Sequence, residues 1–250
     1  MNTEISTNSR NDATWGFQGT LIWGVIISLA FVVTQSIAIG LFIALEYQDV
    51  PPAEYAALVT SLQYDGMVLS LCTFATLVVC SCLMFGIIRL KRNSSITCYL
   101  GLQPASRANI RYWFLVVVAL LVCSDLLTYL VGKPIVPEFM SSAYASIESK
   151  WILWIALIVA APLFEELFFR GFIISGLSTS FVGTTGAIFI SAAAWAAVHM
   201  QYDLYGIATI FIFGLVLGTA RVISGSVLLT VGLHSFINLI ATIETALFIV

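Results

Sequence analysis

The stretch from Leu21 to Leu45 reads LIWGVIISLAFVVTQSIAIGLFIAL and contains no charged residue. A helix needs about 20 apolar residues to cross the hydrocarbon core of a bilayer, so this run is long enough. Two further runs, from Met67 to Ile88 and from Gly171 to Tyr202, also lack Asp, Glu, Lys and Arg. Helices satisfy their own backbone hydrogen bonds in lipid, and the alternating pattern of a membrane barrel is not visible. The predicted fold is all-α, a polytopic transmembrane helix bundle.

The composition supports this class. Hydrophobic residues make up 60% of the chain and charged residues only 9%, whereas a soluble domain carries about a quarter charged residues. The net charge of -3 comes without a basic patch, which excludes a nucleic-acid role. The five cysteines have neither metal-type spacing nor the pattern of a secreted disulfide scaffold.

Apolar runs along the chain predict seven spans, and a break near Glu244 in the last one would give an eighth. We expect a polar N-terminal tail over residues 1–19 and a single transmembrane domain over residues 20–250. Gly214 and Gly218 form a GxxxG pair, which we interpret as intramolecular helix packing rather than dimerisation. The predicted spans lie near residues 20–45, 67–88, 112–132, 151–170, 184–201, 204–221 and 226–249.

Basic residues predict the orientation, because cytoplasmic loops of membrane proteins are enriched in Lys and Arg. The loop between the second and third spans is basic, and the loop before it is acidic without Lys or Arg. We therefore expect a multi-pass protein of the plasma (inner) membrane with its N-terminus in the cytoplasm. The basic residues are Arg89, Lys91, Arg92, Arg107 and Arg111.

The fourth span contains two adjacent glutamates, Glu165 and Glu166, and an arginine, Arg170. A charge at the bilayer centre costs about 2.5–3.5 kcal/mol on insertion scales, so these groups need partners. Glu166 and Arg170 are spaced i,i+4, which predicts an ion pair on one helix face. Glu165 is rotated by about 100° from its neighbour, so Arg170 does not easily pair with it as well. Its carboxylate therefore faces a different part of the bundle. It is a candidate general base or acid, although the motif could also be only a structural ion pair.

Both histidines of the chain fall within or at the end of apolar spans. His199 follows Trp195 at i,i+4, and His234 precedes Asn238 at i,i+4. An Asn at this spacing can orient an imidazole or donate to a developing oxyanion. A single intramembrane His is typical of helix packing, but two imidazoles, a carboxylate and an amide together indicate a site that binds and activates water, with or without a metal.

At these residues the sequence resembles the CAAX-protease and bacteriocin-processing family of intramembrane proteases, also called the CPBP or Abi family. The family pattern is EExxxR, then an aromatic residue followed four residues later by His, then HxxxN or HxxxD. The chain departs from it only at Trp195, where Phe is more usual. The resemblance covers about residues 151–240.

The resemblance implies peptide-bond hydrolysis within the membrane, on membrane-bound peptide or protein substrates. It implies that Glu165 activates water with help from His199, that His234 and Asn238 stabilise the oxyanion, and that Glu166 and Arg170 hold the site together. No cofactor is firmly required. Glu165, His199 and His234 could ligate Zn²⁺ and leave a fourth position for water, but HExxH is absent, and we favour glutamate-driven catalysis.

The sequence leaves the depth of His199 in the membrane and the function of the site open. His199 lies near the end of its predicted span whereas Glu165 and His234 lie well inside theirs, so either the fifth span is tilted or residues 200–205 re-enter the membrane. Continuation of the fourth span through Gly176 would also bring the glutamates nearer to mid-membrane. The function is also open, because a proton-coupled carrier uses intramembrane Glu and His residues as well. A bacteriocin-immunity protein is a further alternative.

Overall fold

A computed structural model describes residues 13–248 of the chain. Within this range every regular element is helical, apart from turns and a short 3₁₀ segment at Pro52–Glu54. We number ten helices in chain order: α1 Gly16–Glu46, α2 Tyr55–Leu62, α3 Gly66–Leu90, α4 Ile96–Leu100, α5 Arg107–Leu130, α6 Glu138–Ser146, α7 Lys150–Ser178, α8 Gly183–Ala197, α9 Leu204–Ser224 and α10 Val227–Phe248.

Six of these helices are long and apolar enough to cross a membrane, namely α1, α3, α5, α7, α9 and α10. The predicted all-α polytopic bundle is confirmed, and the chain is a multi-pass membrane protein. Helix α1 begins at Gly16, so residues 16–19 belong to it rather than to a polar tail. Most of the predicted tail, residues 1–12, lies outside the described residues.

Two predicted spans need correction. The fifth span was expected over residues 184–201, but α8 ends at Ala197 and has only 15 residues. A helix of that length covers about 22 Å, which is less than the roughly 30 Å of a hydrocarbon core. The predicted break near Glu244 is wrong as far as Phe248, because α10 runs unbroken from Val227 to that residue.

Local sequence explains where several helices begin and end. Asp65, Ser106 and Asp203 each precede a helix, and each side chain accepts a backbone N–H from the first turn. Such N-caps satisfy donors that have no partner within the helix. Helix α9 ends at Ser224, and the C-cap residue Gly225 has a positive φ of 72°, the left-handed conformation that glycine adopts without strain.

Helix α7 lies at the centre of the bundle, in contact with α1, α3, α4, α8, α9 and α10. It continues through Gly176 to Ser178, as one of the alternatives above required. Two of its segments are π-helical, Ala156–Ala160 and Glu166–Ile173, and they flank the α-helical turn Ala161–Glu165. Because π-helical turns are rare and occur frequently at functional sites, they mark this region for closer inspection.

One side of α7 is fixed by a series of stacked aromatic rings. The ring centroids of Phe164 and Phe168 are 6.0 Å apart, and those of Phe168 and Phe172 are 6.3 Å apart, with interplanar angles of 5° and 8°. Phe31 of α1 and Tyr99 of α4 extend the series at its two ends. These buried rings anchor α7 from one side, while its polar residues project toward α8 and α10.

Close packing between α8 and α9 depends on the GxxxG pair. A Cβ at Gly214 would lie 3.0 Å from the Cβ of Ala192, and one at Gly218 would lie 3.0 Å from Ile188. The two glycines therefore let α9 approach α8, which agrees with the intramolecular interpretation. Apolar side chains on the outer face of α1 remain exposed, as expected of a surface in contact with lipid; they include Ile22, Val25, Leu29, Val32, Val33, Ile37 and Leu41.

Candidate active site

The innermost part of the site is the predicted ion pair between Glu166 and Arg170. Nη1 of Arg170 donates to Oε1 of Glu166 at 2.9 Å, and both side chains are completely inaccessible to solvent. Arg170 also reaches α9, where Nη2 donates to the carbonyl oxygen of Gly214 at 3.4 Å. The prediction that Arg170 neutralises Glu166 is confirmed, and the pair additionally ties α7 to α9.

His234 joins this pair from α10. Its Nδ1 lies 3.0 Å from Oε1 of Glu166, and the ring is buried. Glu166 therefore interacts with Arg170 from its own helix and with His234 from another. The resemblance assigns His234 to the oxyanion together with Asn238, and the sequence did not predict its contact with Glu166. The interaction connects α10 to α7 at the depth of the two glutamates.

Glu165 points in a different direction, toward α8. Its Oε2 accepts a hydrogen bond from Nε1 of Trp195 at 2.5 Å. Unlike Glu166, the Glu165 side chain is only partly buried. The rotation between adjacent helical residues thus separates the two carboxylates: Glu166 is fully buried in an ion pair, and Glu165 remains partly exposed.

His199 lies just beyond the end of α8, in the turn over residues 198–203. Its Nδ1 is 2.7 Å from the carbonyl oxygen of Trp195. Because α8 ends at Ala197, His199 is carried by this turn rather than by a membrane-spanning helix, and the tilt of α8 and the re-entry of residues 200–205 stay predictions. The rings of His199 and His234 both pack edge-on against the Trp195 ring, at centroid distances of 5.4 and 5.1 Å.

The hydrogen bonds of the two imidazoles determine which nitrogen each one presents. The carbonyl of Trp195 can only accept, so Nδ1 of neutral His199 carries the proton, and the carboxylate of Glu166 has the same consequence for His234. Nε2 is then the nitrogen with the lone pair in both rings. Each neutral imidazole can accept a proton or a hydrogen bond at Nε2.

Asn238 has a partner that the sequence did not suggest. Its Nδ2 donates to the carbonyl oxygen of Leu157 in α7 at 2.7 Å. In this π-helical segment Ala161 N–H bonds to the carbonyl of Ala156, so the next donor for Leu157 would be residue 162. That residue is Pro162, which has no N–H. Asn238 thus satisfies a carbonyl that Pro162 leaves without a backbone partner, and its second amide hydrogen remains for another acceptor.

Tyr202 is a site residue that sequence reasoning missed. Its ring stacks on that of His199, with centroids 6.2 Å apart, and packs edge-on against Phe139. Removal from water, and to a smaller extent the negative charge of Glu165, raises the pKa of Tyr202, so its hydroxyl stays protonated at neutral pH. An aromatic residue three positions after His199 was the only signal in the sequence.

The three side chains named as zinc ligands do not form that site as they are placed here. No group of three or more His, Cys, Asp and Glu residues within positions 13–248 is arranged to hold a metal ion. Oε2 of Glu165 is occupied by Trp195, although the Nδ1 hydrogen bonds of both histidines are of the kind that metal-bound imidazoles make. The Zn²⁺ alternative stays a prediction.

An apolar cavity of about 420 Å³ lies between α5 and α10. None of the predicted catalytic residues lines it, although Leu233, which does, directly precedes His234. The cavity is therefore distinct from the polar site. Its lining comprises Pro104, Ala105, Ile110, Phe114, Leu228, Leu229, Gly232, Leu233 and Phe236.

The part of the chain that contains the site is similar to a known protein family. Residues 147–240 match the model of the Rce1-like family, described as type II CAAX prenyl endopeptidases. This segment is similar to the Rce1-like CAAX protease family. The Rce1-like segment contains all six predicted site residues, and its bounds agree with the core expected over residues 151–240.

One curated relative of the chain is an uncharacterised 24.3 kDa protein of Escherichia coli, which is 33% identical over 114 residues. The alignment covers 42% of this chain and 52% of the relative, so the chain spans about half the length of that protein. No solved structure matches the chain. The likeness to this family therefore covers residues 147–240, and the roles of the residues in that segment remain predictions.

Proposed function

We propose that this chain is an intramembrane endopeptidase that hydrolyses peptide bonds of membrane-associated peptides or proteins. The observation that carries the proposal is the separation of the two glutamates. Glu166 is sealed against Arg170 and His234, whereas Glu165 is partly accessible and lies with both imidazoles around the ring of Trp195. A carboxylate and two imidazoles held together in a membrane protein suit the activation of water.

In the proposed reaction, Glu165 takes a proton from water while the water oxygen attacks the carbonyl carbon of the scissile bond. Nε2 of His199 accepts the second hydrogen of this water as a hydrogen bond and so orients it. The C–N bond then breaks, and the proton held by Glu165 passes to the leaving amine. The products are one amine terminus, which receives the proton from Glu165, and one carboxylic acid terminus, which keeps the second hydrogen of the water until it ionises, so protons and atoms balance.

Negative charge develops on the carbonyl oxygen during the attack and needs hydrogen-bond donors. We assign this role to the second amide hydrogen of Asn238 and to His234, whose Nε2 is an acceptor in the neutral ring and becomes a donor once that nitrogen takes up a proton. Glu166 and Arg170 make no contact with substrate in this scheme. Their role is to hold α7, α9 and α10 in position around Glu165.

Purified protein reconstituted in lipid vesicles tests the proposal. Peptides that span the membrane or carry a lipid-modified tail are added, and mass spectrometry detects new termini. We expect cleavage by the wild type and by a Glu148→Gln control, which alters an exposed glutamate outside the site, but not by Glu165→Gln. Equal cleavage by Glu165→Gln would contradict the proposal, and so would pH-dependent proton flux in the same vesicles without any cleavage, which is the behaviour of a carrier.

A further inference from the structure

Trp195 is at the centre of the polar site. The indole is buried, with 4% of its surface exposed, and four site residues surround it. The guanidinium carbon of Arg170 lies 4.3 Å from the ring centroid, and the two histidine rings pack edge-on against the same indole. The fourth neighbour is Glu165, which accepts the indole N–H.

The hydrogen bond to Glu165 is directional and involves an ionisable acceptor. An indole has one donor and no acceptor, and when buried it usually finds a partner. A hydrogen bond from a neutral donor to a carboxylate is stronger than one between two neutral groups. Nε1 holds Oε2 of Glu165, and in the proposed reaction the other carboxylate oxygen, Oε1, takes the proton from water.

Arg170 strengthens this donor without touching Glu165. A cation held over an aromatic face draws electron density toward that face, which makes the N–H at the ring edge a better donor. The guanidinium that pairs with Glu166 through Nη1 also lies over the indole that holds Glu165. A single arginine therefore acts on both glutamates, on one through an ion pair and on the other through Trp195.

We propose that Trp195 is a positioning residue whose indole N–H holds Glu165 in the orientation required to deprotonate water. The proposal deepens the proposed function and rests on it. A phenyl ring at this position would preserve an aromatic surface between the two imidazoles but would leave Glu165 without its donor. The N–H rather than the ring is what the proposal requires.

The first test compares three replacements. Trp195→Phe removes the N–H and shrinks the ring, whereas 3-benzothienylalanine at position 195 replaces N–H by sulfur at nearly unchanged ring size. Trp113→Phe is the matched control, because Trp113 is equally buried at 5% exposure and its Nε1 has no hydrogen-bond partner within residues 13–248. All variants are assayed for peptide cleavage in vesicles.

We expect both replacements at position 195 to lower kcat by about 10- to 100-fold, as loss of a hydrogen bond to a charged group predicts. KM should stay within about threefold, since the indole does not bind substrate in this scheme. The Trp113→Phe control should retain the wild-type kcat. If the benzothienyl variant has wild-type kcat while Trp195→Phe does not, ring shape is what matters and the proposal is overturned.

A second test needs no enzymatic activity. The indole ¹H–¹⁵N resonance of Trp195, identified by its loss in Trp195→Phe, should lie downfield of the other tryptophans and move upfield in Glu165→Ala. An unchanged resonance in Glu165→Ala would overturn the hydrogen bond itself. If the wild type cleaves nothing while the resonance does move, the hydrogen bond stands and it is the endopeptidase proposal that has failed.

Discussion

Glu165 and Glu166 are adjacent in the sequence but occupy very different surroundings. Glu166 has no exposed surface and shares Oε1 between Arg170 and His234. Glu165 is partly exposed and interacts with Trp195. Changing one carboxylate should therefore affect mainly stability, and changing the other mainly activity.

Glu166→Gln leaves the buried guanidinium of Arg170 without a counter-charge. We expect a loss of about 3–5 kcal/mol in the free energy of unfolding, because breaking a buried ion pair from one side strands the other charge. Denaturant or SDS titration in mixed micelles measures it. The matched Glu165→Gln change should lower the free energy of unfolding by less than about 1 kcal/mol, because Glu165 is not part of a buried ion pair. Equal destabilisation by the two variants would show that the carboxylates are not separated as described.

Contacts between residues of the same helix could be predicted from the sequence. The i,i+4 spacing was sufficient to predict the pair of Glu166 with Arg170. It could not predict that His234, 68 residues away, would bond to Glu166, or that Trp195, 30 residues away, would bond to Glu165. Those contacts depend on how helices pack, and the helical period fixes only the neighbours on the same helix.

Helix α7 illustrates what the sequence does not reveal about an element. Its hydrophobic pattern predicted a membrane span, but two π-helical segments were not expected. Pro162 was a visible signal for an irregular backbone, since proline removes a donor within a helix. The partner that compensates for it, Asn238, is 81 residues away from Leu157, and the sequence assigned it only to the reaction.

A double-mutant cycle on Asn238 and Pro162 tests this structural role. Asn238→Ala removes the donor to Leu157 and should cost about 1–2 kcal/mol, because a buried carbonyl is left unsatisfied. Pro162→Ala restores a backbone N–H at position 162. In that background Asn238→Ala should cost less, with a coupling of about 1 kcal/mol measured by the same unfolding titration. Strictly additive effects would contradict the compensation.

The turn before α9 is held by Asp203, which has two partners. Oδ1 accepts the N–H of Gly206 at 2.9 Å and caps α9, while Oδ2 pairs with Nζ of Lys133 at 2.5 Å. The hydrogen bond from Lys133, followed by that from Gly206, lowers the pKa of Asp203. A group whose pKa is lowered by folding contributes stability above its unfolded pKa and loses it as the pH falls.

Asp203→Asn keeps an acceptor for the cap and removes the charge. We expect the wild type to have the higher Tm above about pH 4, the ordinary carboxyl value, and the difference to decrease as the pH falls from there toward the lowered pKa of the folded state. High salt should also reduce the difference, because the pair is exposed. Thermal unfolding at a series of pH values provides the measurement, and a difference in Tm that does not vary with pH would contradict this explanation.

At the scale of the whole molecule, the all-α membrane fold was predictable because lipid leaves few alternatives for an uncharged backbone segment. The number and length of the spans were less predictable. Helix α8 is too short to cross the core, and the apolar residues beyond Ala197 belong to a turn that carries His199. Hydropathy records only that these residues are apolar, and does not record where the helix ends.

The orientation of the bundle remains a prediction from its basic residues. Helices α7, α8 and α10, with the turn after α8, bring a partly accessible carboxylate and two imidazoles to one aromatic side chain. Each contribution comes from a different part of the chain, and in the proposed function together they make water nucleophilic.

Cleavage in H₂¹⁸O tests this central claim most directly. Wild-type protein in lipid vesicles is incubated with a membrane-spanning peptide, and mass spectrometry measures the masses of the products. Hydrolysis through water activated by Glu165 predicts one ¹⁸O atom in the new carboxylate terminus after a single turnover, and no such product from Glu165→Gln. Labelled product formed at the same rate by Glu165→Gln, or no labelled product from the wild type, would contradict the claim.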